Sequence, residues 1–344
     1  MMLVRAVAAA VAAALVLGML VPRADAGAAP AAAAAAAQVH GIALGLFSED
    51  AGWSYRPLLD EIAAAGADHV ELVVPWYQTD AAATVIVDHP RFSPTPAAIV
   101  AAIRDARAAG LAVTLFPIVR LSAPRTPDEW RGTLAPRDRA AWWRSYSERL
   151  VALGRLAARE HVAVLSVGSE LSTLDGPADH AAWAAAVAAL RRVFHGALMY
   201  SGNWDHYRHV AVYDLVDIVG LCAYFALVEP GAPATVDDLT RGWRDMRVEL
   251  ERFFAGRPIV FTELGYRSIH GSSASPWDEG SAGTVDLDEQ RRCYAAFRRV
   301  WKSAPPDRFG GVYYWNWYGW GGPTSTGYTP RGKPALNELR AFFR

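Results

Sequence analysis

A single-domain (β/α)8 TIM barrel is the fold this sequence predicts, on three observations. Strand-like apolar runs alternate with helix-like runs through nearly the whole chain. The strand-like runs are continuously apolar, as a parallel sheet covered on both faces requires. Two of them end in a glutamate, Glu170 after residues 162–167 and Glu263 after 258–262. The C-terminal end of a barrel strand is where reactive side chains gather.

The elements follow in order. Residues 41–47 form the first strand and 55–65 its helix; 69–74 form the second strand and 94–110 its helix, with Gly110 as the stop. Residues 112–119 are the third strand, followed by a long helix over 137–160. The fourth strand is 162–167 and its helix 179–194. The fifth, 198–201, is joined to the sixth, 216–223, by only a short helical piece near 208–215. A helix over 236–254 leads to the seventh strand, 258–262, and a helix over 287–303 to the eighth, 311–315; the last helix is 335–343. A doubly wound open sheet is the rival topology. Its glycine-rich phosphate turn is missing from the first turn, Phe47 to Trp53.

The amino terminus reads as an export signal. Arg5 precedes an apolar run over 6–21, shorter than the roughly 20 residues of a membrane span. Ala24-Asp25-Ala26 offers a small-x-small cleavage site. The expected organisation is a signal over 1–26, an alanine-rich tether over 27–38 and a catalytic barrel over 39–344. The protein is therefore expected to be secreted or periplasmic, monomeric, and not inserted in a membrane after cleavage. With a net charge of −1 and no basic block, nucleic acid is not an expected partner. Cys222 and Cys293 are expected as buried free thiols, because two cysteines make no disulfide framework.

The strand ends make a rim rich in rings and hydrogen-bonding groups: Trp76, Ser169, Asn203, Trp204, Tyr224, Arg267, Trp315, Asn316 and Trp317. Flat rings stack on the C–H faces of sugars, and amides and carboxylates bind their hydroxyls. Strands four and seven face each other across a barrel mouth, so Glu170 and Glu263 would flank one sugar ring. Two such carboxylates are what acid–base cleavage of a glycosidic bond needs. In that reading Glu263 attacks the anomeric carbon, and Glu170 protonates the leaving oxygen and then activates water. Glu263 is expected ionised and held so by Tyr224, and Glu170 is expected protonated, with a raised pKa.

The pieces Val167-Gly168-Ser169-Glu170-Leu171, Tyr200-x-x-Asn203-Trp204, Tyr224, Thr262-Glu263-Leu264-Gly265-Tyr266-Arg267-Ser268, the Trp-rich eighth strand and Gly332-Lys333-Pro334-Ala335 together carry a resemblance. The chain resembles the clan A glycoside hydrolases and is most similar to family 113, known for β-mannanase activity. The resemblance covers nearly all of the barrel region. It implies Glu170 as acid/base, Glu263 as nucleophile, and a β-linked polysaccharide, β-1,4-mannan or glucomannan, as substrate. Most of the clan has Asn before the acid/base, where this chain has Ser169. The contact to the sugar 2-hydroxyl would then fall to Asn203.

No cofactor is expected. Metal hydrolysis on a barrel uses His-x-His after the first strand, and none of the nine histidines forms that pair. A serine hydrolase would want Gly-x-Ser-x-Gly, which Gly168-Ser169-Glu170 does not supply. An inactive carbohydrate-binding barrel, or a retaining glycosidase of another β-glycan or exopolysaccharide, are the other readings.

Overall fold

The computed structural model describes residues 38–50, 52–232 and 234–344. The expected signal and tether lie outside the described residues, apart from Gln38. Eight parallel strands close into a barrel in chain order. They are β1 (Val39–Gly45), β2 (His69–Gln78), β3 (Ala112–Leu121), β4 (Val164–Ser169), β5 (Ala197–Gly202), β6 (Ile218–Cys222), β7 (Ile259–Leu264) and β8 (Phe309–Tyr314). The helices are α1 (Arg56–Ala64), α2 (Pro96–Ala108), α3 (Arg139–Arg159), α4 (His180–Arg191), α5 (Val236–Phe253), α6 (Leu287–Trp301) and α7 (Ala335–Phe343). The β5–β6 crossing is made by two 3-10 turns, Tyr207–His209 and Val212–Leu215. No helix among the described residues is long and apolar enough to cross a membrane.

Local chemistry sets the helix starts. Thr95, Asp138, Thr235 and Asp286 each cap a helix by accepting from a backbone N–H of its first turn. Pro96 opens α2, where its missing N–H costs nothing. Two apolar clusters result. The larger lies between sheet and helices, around Trp142, Tyr146, Trp183, Trp243, Phe297 and Trp301. The smaller fills the barrel interior: Ala43, Val73, Phe116, Ile118, Met199, Cys222, Tyr224 and Trp315. Cys222 and Cys293 are buried and free.

Regularity differs around the barrel. The β2–β3 ladder pairs ten residues without a break, from His69–Ala112 to Gln78–Leu121. The strands therefore run past residues 74 and 119, where the sequence pattern ended them. The β4–β5, β6–β7 and β7–β8 ladders all contain register shifts.

Candidate active site

The shifts decide which side chains reach the mouth. On β7, Ile259 and Phe261 face the helices. Strict alternation would send Glu263 the same way. Between the pairs Leu221–Phe261 and Cys222–Glu263 the register slips by one residue of β7, which turns both Thr262 and Glu263 inward. On β4 the slip falls between Ser166 and Gly168. Gly168 then points outward, where a Cβ would stand 2.7 Å from Tyr146 Oη and 3.0 Å from Trp183, so only glycine fits. Glu170 follows with a φ of 51°, left-handed backbone that costs a non-glycine residue roughly 1–2 kcal/mol. Its N–H donates to Ser201 O at 2.8 Å, and Leu171 N–H donates to Tyr200 Oη at 3.2 Å. These bonds hold the turn that aims Glu170 over the barrel.

The two carboxylates meet. One oxygen of Glu170, one of Glu263 and Cys222 Sγ lie within 4.8 Å of one another. Glu170 is 3% exposed and Glu263 2%. Tyr224 Oη donates to Glu263 Oε2 at 2.9 Å, while Glu263 Oε1 has no partner among the described residues. Arg131, from the 3-10 turn Arg131–Thr133, forms an ion pair with Glu170.

Burial, and then the charge of Glu170, push the Glu263 carboxyl up to about 8, against the pull of Arg131 and of the Tyr224 hydrogen bond. This corrects the expected electrostatics. Glu263 was expected ionised, yet its carboxyl is pushed up, and the ion pair with Arg131 falls on Glu170.

A cavity of roughly 650 Å³ opens above the pair, lined by Trp130, Arg131, Asn203, Trp204, Asp205, Tyr224, Trp277, Asp278, Glu279 and Tyr328 as well as both glutamates. Trp204 stacks on Trp277 with centroids 4.5 Å apart, and Trp277 is 42% exposed. Asn203 Oδ1 accepts from Trp204 N–H at 2.8 Å. Its NH2 group makes no protein hydrogen bond among the described residues.

Other expected rim residues lie elsewhere. Trp76 belongs to the unbroken part of β2, so alternation sends it outward onto Tyr146, where it is 4% exposed. Trp317 is 3% exposed in the same outer core, its N–H bonded to Ala43 O at 2.8 Å and its Nε1 to Glu61 Oε2 at 3.0 Å. Two residues apart, Trp315 and Trp317 would point alike on a continuous strand. However, β8 ends at Tyr314, and only Trp315 packs inward, beside Tyr224. Asn316 is half-buried and outside the cavity wall. Ser169 is buried below the mouth, its Oγ 3.7 Å from Cys222 Sγ. Arg267 braces the β7–α6 loop instead of facing the cavity, donating to Ser281 O at 2.7 Å and Asp278 O at 3.3 Å.

Sequence reading missed Arg131, Trp130, Trp277 and Tyr328, all in long connections. The aromatic and charged runs Asp128-Glu129-Trp130-Arg131 and Trp277-Asp278-Glu279 were the available signal. Their loops are anchored. Glu289 of α6 accepts from Gly271 N–H, Ser273 N–H and Ser273 Oγ at 2.8, 2.8 and 2.7 Å. Lys333 donates to Ser268 Oγ and Gly327 O at 2.8 and 2.7 Å.

Among the described residues, two sets of side chains could be weighed as metal ligands. In the Glu170–Cys222–Glu263 set, burial and then the two carboxylates hold the Cys222 thiol up, which disfavours the thiolate a metal needs. In the His270–Asp286–Glu289 set, Glu289 is engaged by the loop backbone, and Asp286 caps α6 with Arg292 3.8 Å away.

Comparison with known proteins agrees with this geometry. The profile of Glycoside Hydrolase Family 113 matches residues 46–322. No curated protein matches the chain by sequence. Among solved structures, the GH113 β-mannanase AaManA from Alicyclobacillus acidocaldarius, in complex with ManMIm, superposes with a TM-score of 0.77 at 26% identity, covering 89% of this chain and 97% of that one. A GH113 β-1,4-mannanase complex gives 0.76 at 18% identity, with 89% and 99% covered. A GH5_18 protein from Streptomyces cattleya, in complex with Manβ1-4GlcNAc, gives 0.56 at 16%, with 84% and 74% covered. The last two likenesses are of fold. A family match that spans most of the barrel, on a chain whose strands four and seven bring two glutamates together, makes this protein a member of glycoside hydrolase family 113 and a glycoside hydrolase.

Proposed function

We propose that this chain cleaves β-1,4-mannan or glucomannan with retention, by double displacement. Glu263 is the nucleophile and Glu170 the acid/base. The observation that carries the reading is the approach of the two carboxylates, with oxygens within 4.8 Å across the mouth. Retaining enzymes hold their carboxyls about 5–5.5 Å apart, whereas inverting ones leave room for water at about 6.5–9.5 Å. The names of the similar structures, both β-mannanases, support the substrate.

In the first step the Glu170 proton passes to the glycosidic oxygen as the bond from C1 to that oxygen breaks and a bond from C1 to Glu263 forms. In the second, Glu170 takes a proton from water, the water oxygen bonds to C1, and the bond to Glu263 breaks. Tyr224 stabilises the charged form of Glu263. Asn203, whose NH2 has no hydrogen bond among the described residues, would bind a hydroxyl of the sugar at the bond. Trp204 and Trp277 provide a face for further sugar rings.

The test is a panel of mannan, glucomannan, xylan, cellulose and β-1,3-glucan with product sizing, alongside Glu170→Ala and Glu263→Ala. Both variants should lose most turnover on mannan. With an activated aryl β-mannoside, Glu170→Ala should keep a fast first step and be rescued by azide. Release from another β-glycan but from no mannan discards the substrate and leaves the mechanism. Near-parental rates in both variants discard the mechanism. An inert panel with the parental protein favours a binding barrel. Residues 1–26 are proposed as a cleaved export signal, which places the enzyme outside the cytoplasm; amino-terminal sequencing of exported protein checks it.

A further inference from the structure

Arg131 is the one cationic side chain among the described residues that line the cavity. It reaches in from the β3–α3 loop and pairs with Glu170. Its guanidinium lies 5.6 Å over the Trp130 ring. Its Nε is buried and has no partner among the described residues, so the group is not spent on bracing its own loop. The titratable groups around Glu170 come from every side: Cys222 on β6, Glu263 on β7 with Tyr224 bonded to it, and Glu279 on the β7–α6 loop. Asp128, Asp205, Asp278 and Tyr328 stand farther out on the wall. Apart from Arg131, none of these groups is cationic, so Arg131 alone offers Glu170 an opposite charge.

Double displacement asks opposite things of Glu170. It must carry a proton when the leaving group departs, and it must be charged when water attacks. A contacting guanidinium favours only the second condition. We propose that Arg131 is a positioning residue that biases Glu170 toward its base form, which speeds the water step and sets the alkaline limit of the leaving-group step. This rests on the double-displacement reading.

The experiment is Arg131→Gln, with Arg131→Lys as the conservative variant and Arg131→Met as an uncharged replacement should the glutamine variant not fold. Full pH profiles of kcat/KM would be measured on mannan, and single-turnover kinetics and intact mass on an activated aryl β-mannoside. Losing the guanidinium should move the alkaline limb of kcat/KM upward by about one pH unit or more. It should also slow the water step about tenfold or more, so that a burst appears and the glycosyl-enzyme accumulates. Arg131→Lys should restore most of both effects. A purely structural role would lower activity and melting temperature while leaving the limb and the burst unchanged, and that result overturns the proposal. If Glu170→Ala behaves as an acid/base variant while Arg131→Gln moves neither readout, the Arg131 proposal alone fails. If Glu170→Ala keeps parental activity, the double-displacement reading fails first.

Discussion

The two sides of the barrel mouth are built differently. Over β2 and β3 the ladder is unbroken for ten pairs, and alternation runs its course: Val70, Leu72, Val74 and Trp76 all face the helices. The β4–β5 and β6–β7 ladders slip, Glu170 takes a left-handed backbone, and side chains that alternation would bury outward turn into the cavity. A tryptophan on the regular side is therefore part of the packing. On the irregular side, Trp204 lines the cavity. Residue type alone does not distinguish them; the backbone register does.

The sharpest way to break this contrast is Trp76→Ala. The ring is 4% exposed and packs edge-to-face on Tyr146, 5.6 Å between centroids. Truncating a buried tryptophan costs about 3–5 kcal/mol of stability. Denaturant unfolding should show that loss, while kcat and KM of the folded fraction stay parental. A raised KM with an unchanged unfolding midpoint would place Trp76 in the cavity and refute the register argument.

Tyr224→Phe probes the irregular side and should do the reverse. The hydroxyl donates to a buried carboxylate at 2.9 Å. Hydrogen bonds to charged groups contribute about 1.5–3 kcal/mol, so kcat/KM should fall roughly 10- to 150-fold with little change in stability. The sign of the pH effect follows. The hydrogen bond lowers the Glu263 pKa, already pushed up to about 8, so its removal raises that pKa further. A nucleophile must be ionised, and the acid limb of kcat/KM should therefore move to higher pH. An acid limb that stays in place would separate Tyr224 from Glu263.

What could be read in advance follows the same division. Glu170, Glu263, Tyr224, Asn203 and Trp204 were legible because each directly follows or ends a strand pattern, and a parallel barrel gathers those ends at one face. Trp76 and Trp317 were misplaced because the sequence shows neither how far β2 continues nor that β8 ends at Tyr314. Arg131, Trp277 and Tyr328 lie in connections without periodicity; Glu289 holds the loop that carries Trp277, and Lys333 the one that carries Tyr328. The upward push on Glu263 was not foreseen, because it follows first from the complete burial of that carboxyl in the mouth.

Trp277→Ala carries the comparison into those loops. Its ring stacks on Trp204 at 4.5 Å and is 42% exposed, so little packing depends on it. Aromatic stacking contributes about 0.5–1.5 kcal/mol, and KM for long manno-oligosaccharides should rise roughly 2- to 13-fold. Stability and kcat should hold, as expected of a ring that binds sugar units away from the bond being broken. The effect should vanish on an aryl monomannoside, which is too short to reach the ring. A fall in kcat on that short substrate would mean that Trp277 shapes the catalytic pair itself.

The smallest effect is expected at Arg267, and it separates two roles for one residue. As a direct sugar ligand it would lose a charged hydrogen bond to substrate when replaced, with a penalty on the scale of Tyr224→Phe. As the structure has it, the guanidinium holds Ser281 O and Asp278 O, and so braces the segment that carries Trp277. A partly exposed bond of this kind contributes about 0.5–1 kcal/mol to the order of the loop. Arg267→Met should then raise KM only about 2- to 5-fold. The decisive measurement is the double variant with Trp277→Ala. If Arg267 acts only by placing Trp277, its substitution should add nothing once that ring is gone, since residues acting through one group are not additive. Additive losses in KM would give Arg267 its own contact with the polysaccharide.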